Sequence, residues 1–171
     1  MSTFVAVGNG TQSFRRLLDA VAAISKRLPQ PVVVQHGVAD FAHSGCELHA
    51  YVDREEFGRL LASARLVICH AGSGCVIEAL RAGRIPVVMP RRKAHGEVVD
   101  DHQVEFARLL AEAGRVVVVE GAEQIEQAAA RALQMQADRR DASSEPPLVA
   151  ALRAVLREAE QQCARAHARS G

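Results

Sequence analysis

Short apolar runs alternate with amphipathic segments along most of the chain. The apolar runs, most of them rich in valine and isoleucine, predict strands at residues 4–7, 32–35, 48–51, 66–69, 86–89 and 116–119. Between them, apolar positions recur at helical spacing over residues 13–28, 53–64, 74–83, 100–113 and 122–136. Most of the strands lack polar alternation, as in a sheet covered on both faces. The order therefore predicts a doubly wound, mainly parallel α/β sheet, with functional sites at the carboxyl ends of its strands.

The pattern changes after residue 137. Residues 138–147 combine charge, serine and two prolines, which predicts a linker or mobile loop. Apolar residues then return at helical spacing from Leu148 to Cys163, predicting an amphipathic helix that ends near Ala168. We therefore predict a domain over residues 1–137, a linker over 138–147, and a C-terminal helix and tail over 148–171. The apolar face of this helix either packs on its own domain or docks onto another subunit.

Composition excludes several classes of function. The 171 residues are 49% hydrophobic, enough for a core that needs neither disulfides nor metal. The formal net charge of +1 gives no basic field for nucleic acid or anionic membranes. Aromatic residues are few and tryptophan is absent, so stacking surfaces for single-stranded nucleic acid are not expected.

The cysteines and the N-terminus bear on the cellular compartment. Cys46, Cys69, Cys75 and Cys163 form no CxxC and no metal-type spacing, which predicts free thiols and no metal site. The first residues lack the features of a signal peptide, and no run of about 18 apolar residues is present to span a bilayer. We expect a cytoplasmic protein whose membrane association depends on a partner.

A glycine-rich turn joins the fourth predicted strand to the following helix. It reads His70-Ala-Gly-Ser-Gly, and its small residues allow a diphosphate to approach main-chain N–H groups at the helix N-terminus. Glu78 lies about one helical turn further on, at a distance suited to a sugar hydroxyl. The segment predicts a nucleotide-sugar site.

A second polar segment follows the predicted strand at residues 86–89. Arg91, Arg92 and Lys93 come first, and they are either a solvated charge run or an anion site at a strand end. Asp100-Asp-His-Gln then opens a helix, where the acidic residues also suit simple capping. Gln103 carries a donor and an acceptor for sugar hydroxyls, and His102 is a donor for a phosphate oxygen.

Two other motifs have competing interpretations. The turn Gly8-Asn-Gly-Thr-Gln-Ser resembles a dinucleotide fingerprint, but Ser13 replaces the third glycine and Gln35 replaces the acidic residue that holds the ribose. An NAD-dependent oxidoreductase is therefore disfavoured, and the turn suits a structural connection as well as a ligand loop. Cys75 near a helix N-terminus is a possible nucleophile with His70, but a packing role is favoured.

Taken together, these motifs resemble the C-terminal, donor-binding half of GT-B glycosyltransferases of family 28. The resemblance covers about residues 3–120 and rests on Val5-Ala-Val-Gly, His70-Ala-Gly-Ser-Gly with Glu78-Ala-Leu, Pro90-Arg-Arg-Lys and Asp100-Asp-His-Gln. It is closer still to the soluble subunit of two-part UDP-sugar transferases, which include the dolichol-pathway UDP-GlcNAc transferase and its bacterial exopolysaccharide counterparts. A Rossmann-like GT-B half is the fold this implies.

The resemblance also implies roles for individual residues. Gly72, Ser73 and Gly74 are expected to face the diphosphate of a UDP-sugar, and Glu78 its ribose. His102 and Gln103 are expected at the donor sugar or the phosphates, while His70 shapes the loop and contacts the ligand. A narrower expectation is that Arg91, Arg92 or Lys93 reads a carboxylate, which would favour UDP-glucuronate over UDP-GlcNAc. The inserted Asn9-Gly10 departs from the family pattern at the first turn.

The resemblance further implies a partner. A complete GT-B enzyme has two such halves, so we expect a membrane-associated subunit that presents a lipid-linked acceptor and supplies the catalytic base, for which no residue is assigned here. No cofactor and no nucleic acid are expected, and self-association is possible. The expected process is exopolysaccharide assembly. The alternative is a non-catalytic sugar-nucleotide sensor or scaffold that binds the same ligand.

Overall fold

A computed structural model describes residues 2–141, with the side chains of residues 140 and 141 excepted. The strands are β1 (Ser2–Ala6), β2 (Val32–Gln35), β3 (Glu47–His49), β4 (Ala64–His70), β5 (Val87–Met89) and β6 (Val117–Val118). The helices are α1 (Arg15–Ile24), α2 (Arg54–Ser63), α3 (Ser73–Arg81), α4 (His102–Glu112) and α5 (Ala122–Asp141). Short 3₁₀ turns occupy Ser25–Arg27 and Lys93–His95. Each predicted element of this part of the chain is present, with shifts at its ends.

The six strands form one sheet in the order β3-β2-β1-β4-β5-β6, and every neighbouring pair is parallel. This order confirms the predicted doubly wound, Rossmann-like sheet. The chain moves outward from β1 in one direction and then returns to add β4 on its other side. The loops that leave β1 and β4 therefore diverge to opposite faces of the sheet, and a crevice opens between them at the carboxyl edge.

The central strand β1 shows why its residues are apolar without alternation. Val5 belongs to the same buried cluster as Leu17 and Val21 of α1. Phe4, the next residue along the strand, packs edge-to-face against Phe57 of α2, with ring centroids 5.4 Å apart. Because successive side chains point to opposite faces, the Phe4–Ala6 part of β1 is apolar at every position, since helices cover both faces.

The start of α2 agrees with the sequence pattern, whereas the end of α5 differs from it. Asp53 caps α2 as expected, since its Oδ1 accepts a hydrogen bond of 2.8 Å from the Glu56 N–H. Helix α5 continues to Asp141, so residues 138–141 are helical although the sequence pattern places the start of a linker there. No glycine or proline interrupts this segment before Pro146.

One compact unit ends at Asp138. The remainder of the predicted linker and the predicted C-terminal helix lie outside the described residues. Within residues 2–141, no helix combines the length and the apolar character that crossing a membrane would require.

Candidate functional site

A cleft of about 1050 Å³ lies at the carboxyl edge of the sheet, beside the point where the strand order reverses. The end of β4, the first turns of α3 and the start of α2 all line it. The floor is formed by the ends of β1 and β2. The lining residues are Gly8, Asn9, Gln35, Val52, Asp53, Arg54, Glu55, Phe57, Gly58, His70, Gly72, Ser73, Gly74, Cys75 and Glu78.

The glycine-rich turn leaves the N-terminus of α3 open toward the cleft. Gly72 caps the helix without a side-chain hydrogen bond, and its carbonyl accepts from the Val76 N–H at 3.1 Å. The N–H groups of the first turn have no intrahelical acceptor, and the described residues supply none to Ser73 or Gly74. A Cβ atom placed on Gly74 would meet nothing within 4 Å. The turn therefore offers free amides and the positive end of a helix dipole to an anion.

His70 lies between the two loops that border the cleft. A Cβ atom on Gly8 would come within 2.5 Å of the His70 Cε1 atom, and one on Gly72 within 2.1 Å of its Nε2. Gly8 also has a φ of +83°, in the left-handed region. The imidazole ring thus occupies the space that side chains on these two glycines would need. His70 therefore packs against both loops and helps to set their shape.

The environment of His70 keeps its ring neutral. Burial and the positive charge of Arg91 lower the pKa of His70 to about 4, although the backbone of Ala6 partly opposes them. Its Nδ1 atom is buried without a hydrogen bond of normal geometry in the described part of the chain. At neutral pH His70 is therefore neither a cation for a phosphate nor an effective base.

Gln35 fixes the first loop, which follows β1 and begins at Gly8. Its side-chain Oε1 accepts from the Gly8 N–H at 3.3 Å, and its Nε2 donates to the Gly8 carbonyl at 3.2 Å and to Asn9 Oδ1 at 3.3 Å. Gln35 is only 2% exposed. Sequence reasoning used this residue only to argue against NAD, and missed that the amide holds the loop. A buried amide at the end of an apolar strand was the available signal.

Glu78 and Cys75 also face the cleft from α3. Glu78 Oε1 accepts a hydrogen bond of 2.8 Å from Arg81, an ion pair on the helix surface. The Cys75 thiol lies against the buried Cys69 thiol, and that hydrogen bond, together with burial, raises the pKa of Cys69. A buried pair of free thiols supports the packing interpretation of Cys75 over the nucleophilic one.

Arg91 follows β5 but does not line the cleft. It is 4% exposed, and its guanidinium donates to the carbonyls of Val7 at 2.9 Å, Gln12 at 2.9 Å and Glu97 at 3.1 Å. It also lies 4.6 Å from the centroid of the Phe14 ring. Burial lowers the pKa of Arg91, while the Glu97 carboxylate opposes this. These contacts favour a role in holding the first loop to the segment after β5, rather than contact with a donor carboxylate.

Arg92 and Lys93 lie at the surface of the same segment. The Arg92 Nε donates to Glu120 Oε2 at 3.0 Å, and the backbone N–H of Arg92 donates to Glu97 Oε2 at 2.9 Å. The Lys93 N–H donates to Asp101 Oδ1 at 2.9 Å. The segment is thus fixed by local ion pairs and hydrogen bonds.

His102 and Gln103 begin α4 and do not line the cleft. Gln103 is 6% exposed, and its Oε1 accepts from the Arg91 N–H at 3.2 Å. His102 is exposed, and both its ring and its N–H contact Asp100, which lowers the pKa of that carboxyl. The structure therefore brings together His70, Gly72, Ser73, Gly74 and Glu78, and places Arg91, Arg92, His102 and Gln103 in the neighbouring segment after β5. Their contacts with a ligand stay predictions.

Comparison with known proteins places the chain in a family. The model of the glycosyltransferase family 28 C-terminal domain matches residues 3–154. The chain belongs to this family. A curated relative, the UDP-N-acetylglucosamine transferase subunit ALG13 of Yarrowia lipolytica, is 46% identical over 50 residues. The match covers 29% of this chain and 24% of that protein, so it spans about a quarter of the curated relative.

Solved structures share the fold of this family 28 domain. The glycotransferase of kitacinnamycin superposes with a TM-score of 0.62 at 17% identity, covering 82% of this chain and 38% of its own. The calicheamicin glycosyltransferase CalG4 gives 0.60 at 23% identity, covering 91% and 42%. MurG of Acinetobacter baumannii gives 0.54 at 21% identity, covering 77% and 43%. The chain therefore corresponds to less than half of each of these structures.

The start of α2 is the part of the family 28 domain's cleft that sequence reasoning missed. Residues 52–55, Phe57 and Gly58 line the cleft there, but in the sequence they showed only a helix cap at Asp53. Nothing local indicates that this helix faces the glycine-rich turn. The start of α2 and the glycine-rich turn come to line the same cleft only because β4 pairs with β1.

Proposed function

We propose that this chain is the donor-binding part of a UDP-sugar glycosyltransferase. The observation that carries the proposal is the cleft itself, where the open N-terminus of α3 and the Glu78 carboxylate share one wall. Membership of the family 28 C-terminal domain supports sugar transfer, and the curated relative is named for UDP-N-acetylglucosamine. A nucleotide with a diphosphate and a ribose matches the two kinds of group on that wall.

We assign a part of the donor to each element of the cleft. Amides of Ser73 and Gly74 bind the diphosphate and stabilise the negative charge that develops on departing UDP, since they need no reorganisation during the reaction. Glu78 accepts from a ribose hydroxyl while Arg81 holds its other side. His70 keeps both loops in place as a neutral ring. His102 and Gln103 are proposed at the donor sugar, at the carboxyl end of the adjacent strand β5.

Sugar transfer also needs a base to deprotonate the acceptor hydroxyl. Among the described residues of the cleft, His70 has a pKa of about 4 and Glu78 is paired with Arg81, so neither is suited to that task. We propose that a second, membrane-associated subunit supplies the base and presents a lipid-linked acceptor at the cytoplasmic face, in polysaccharide assembly. The relative's designation as a transferase subunit supports a two-part enzyme.

UDP-GlcNAc has better support as the donor than UDP-glucuronate. The expectation of UDP-glucuronate depended on a carboxylate contact from Arg91, Arg92 or Lys93. Arg91 donates to three carbonyls and Arg92 pairs with Glu120, which leaves Lys93 as the remaining cation of that segment. The curated relative is named for the N-acetylglucosamine donor.

Calorimetry with UDP tests the site. Glu78→Ala is expected to weaken UDP binding about tenfold or more, as loss of a hydrogen bond to a charged group does. Glu112→Ala is the matched control, because Glu112 forms a similar exposed pair with Arg108 on α4 and does not line the cleft. Absence of binding by the wild type, or equal affinities of the two variants, would contradict the assignment.

Transfer activity separates the enzyme from a sensor that uses the same cleft. The chain is co-expressed with candidate membrane subunits and assayed with UDP-GlcNAc and UDP-glucuronate on a lipid-linked acceptor. We expect transfer from UDP-GlcNAc only when both subunits are present. Tight UDP-sugar binding without transfer by any pair would favour the sensor.

A further inference from the structure

Arg54 is a cation in the cleft that takes no part in the proposed donor contacts. It is the first residue of α2, is exposed, and lines the same cleft as the glycine-rich turn. Helix α2 packs against α3, so the N-termini of both helices border the same cleft. The long side chain of Arg54 thus starts at the mouth of the proposed phosphate site.

Local structure gives no reason for an arginine at this position. Within residues 2–141, Arg54 has no ion pair and no side-chain hydrogen bond, whereas Arg59 on the same helix pairs with Glu56. A positive charge in the first turn of a helix also opposes the helix dipole, which favours acidic residues there. Glu55 and Glu56 follow that preference, and Arg54 does not.

The charges of the cleft indicate what Arg54 is suited to bind. Among the lining residues, three carry carboxylates, namely Asp53, Glu55 and Glu78, and Arg54 is the one lysine or arginine. His70 contributes no charge at neutral pH. A diphosphate in this cleft therefore meets backbone amides, repulsive carboxylates and a single formal positive charge. A guanidinium fork matches the oxygens of a phosphate, and the contact is strong because it is charge-assisted.

We propose that Arg54 binds the diphosphate of the donor nucleotide from the α2 side of the cleft, together with the amides of Ser73 and Gly74. This inference rests on the proposed function, because it takes the cleft to be the nucleotide site. It assigns Arg54 to binding and to charge neutralisation of departing UDP, and it gives the start of α2 a function beyond packing. The phosphate groups, rather than the uracil or the ribose, are the chemical class that Arg54 recognises.

Calorimetry with UDP and an NMR titration with uridine test the inference on the whole chain. The variants are Arg54→Gln, Arg54→Lys and the control Arg59→Gln, which removes an exposed arginine from the same helix but not from the cleft. We expect Arg54→Gln to weaken UDP binding about tenfold to a hundredfold, with Arg54→Lys in between and Arg59→Gln unchanged. Uridine affinity should be the same in all four proteins. The salt dependence of UDP binding should also be smaller in Arg54→Gln than in the wild type.

Two results would overturn the inference while leaving the proposed function intact. If the wild type binds UDP and Arg54→Gln binds it as well as Arg59→Gln does, Arg54 makes no contact with the ligand. If Arg54→Gln loses equal affinity for uridine and UDP, the contact is with the nucleoside. Failure of the wild type to bind UDP at all would instead remove the proposed function, and this inference with it.

Discussion

The replacement Arg91→Met removes a guanidinium while keeping the apolar stem of the side chain. Arg91 joins three segments that are far apart in sequence, because its N–H groups reach the carbonyls of Val7, Gln12 and Glu97. Methionine leaves these three acceptors without their donors. It also removes the cation that lies over the Phe14 ring.

The expected loss follows from those contacts. A buried acceptor left without a partner costs about 1–3 kcal/mol. The Val7 and Glu97 contacts are buried, whereas the Gln12 contact is only partly buried and counts for less. We therefore expect Arg91→Met to lower the free energy of unfolding by about 3–5 kcal/mol, out of a typical total of about 5–15 kcal/mol.

Urea unfolding followed by circular dichroism measures this loss. The neighbouring Arg92→Met is the control, because its exposed pair with Glu120 is worth about 0–1 kcal/mol. A loss below about 1 kcal/mol for Arg91→Met, or equal losses for the two variants, would refute the reasoning. If Arg91→Met then abolished a preference for UDP-glucuronate in a transfer assay, the donor-contact interpretation would be restored.

Two further predictions concern His70 and its glycines. Gly72→Ala should destabilise the protein and weaken UDP binding, because the new Cβ atom would lie 2.1 Å from the His70 Nε2. A Cβ atom on Gly74 has open space, so Gly74→Ala should stabilise the helix by about 0.5–1 kcal/mol. Thermal unfolding measures both variants, and a higher melting temperature for Gly72→Ala than for Gly74→Ala would contradict the packing account. The pKa of His70 is about 4 in the folded chain and 6.5 in the reference state, so the unfolded chain binds the proton first as pH falls. The free energy of unfolding should therefore decline by up to roughly 3 kcal/mol as the pH falls from 6.5 to about 4, and this group should not change it above pH 6.5. Urea unfolding should show that His70→Asn lacks this decline. An identical decline in the wild type and the variant would contradict the prediction.

Much of the fold follows from periodicity in the sequence. The apolar runs in β1, β2 and β4 lack polar alternation because helices cover both faces of the sheet, and this pattern is visible without a structure. The helix ends follow less closely from the sequence pattern. The helix predicted over residues 13–28 breaks into α1 and a 3₁₀ turn at Ser25–Arg27, and α5 runs on to Asp141, since nothing local stops it earlier.

The candidate site likewise contains residues that the sequence predicts and residues whose contacts only the structure shows. His70, Gly72, Ser73, Gly74 and Glu78 are adjacent in sequence, so one strand, one turn and one helix place them together. Arg91 and Arg92 are neighbours in Pro90-Arg-Arg-Lys, and only the structure distinguishes their environments. One guanidinium is buried against three carbonyls, and the other is at the surface.

By itself, the sequence determined the α/β alternation, the glycine-rich turn and the family, because each depends on residues that are neighbours in the chain. Only the tertiary structure decided that Gln35 holds Gly8, that the Arg91 guanidinium donates to three carbonyls, and that Arg54 lines the same cleft as Gly72. The physical reason is that these relations require β2, β4 and β5 to assemble around β1 in one order. A side chain's hydrogen-bond partners are then set by which strand ends meet, and this information is spread over the whole sheet.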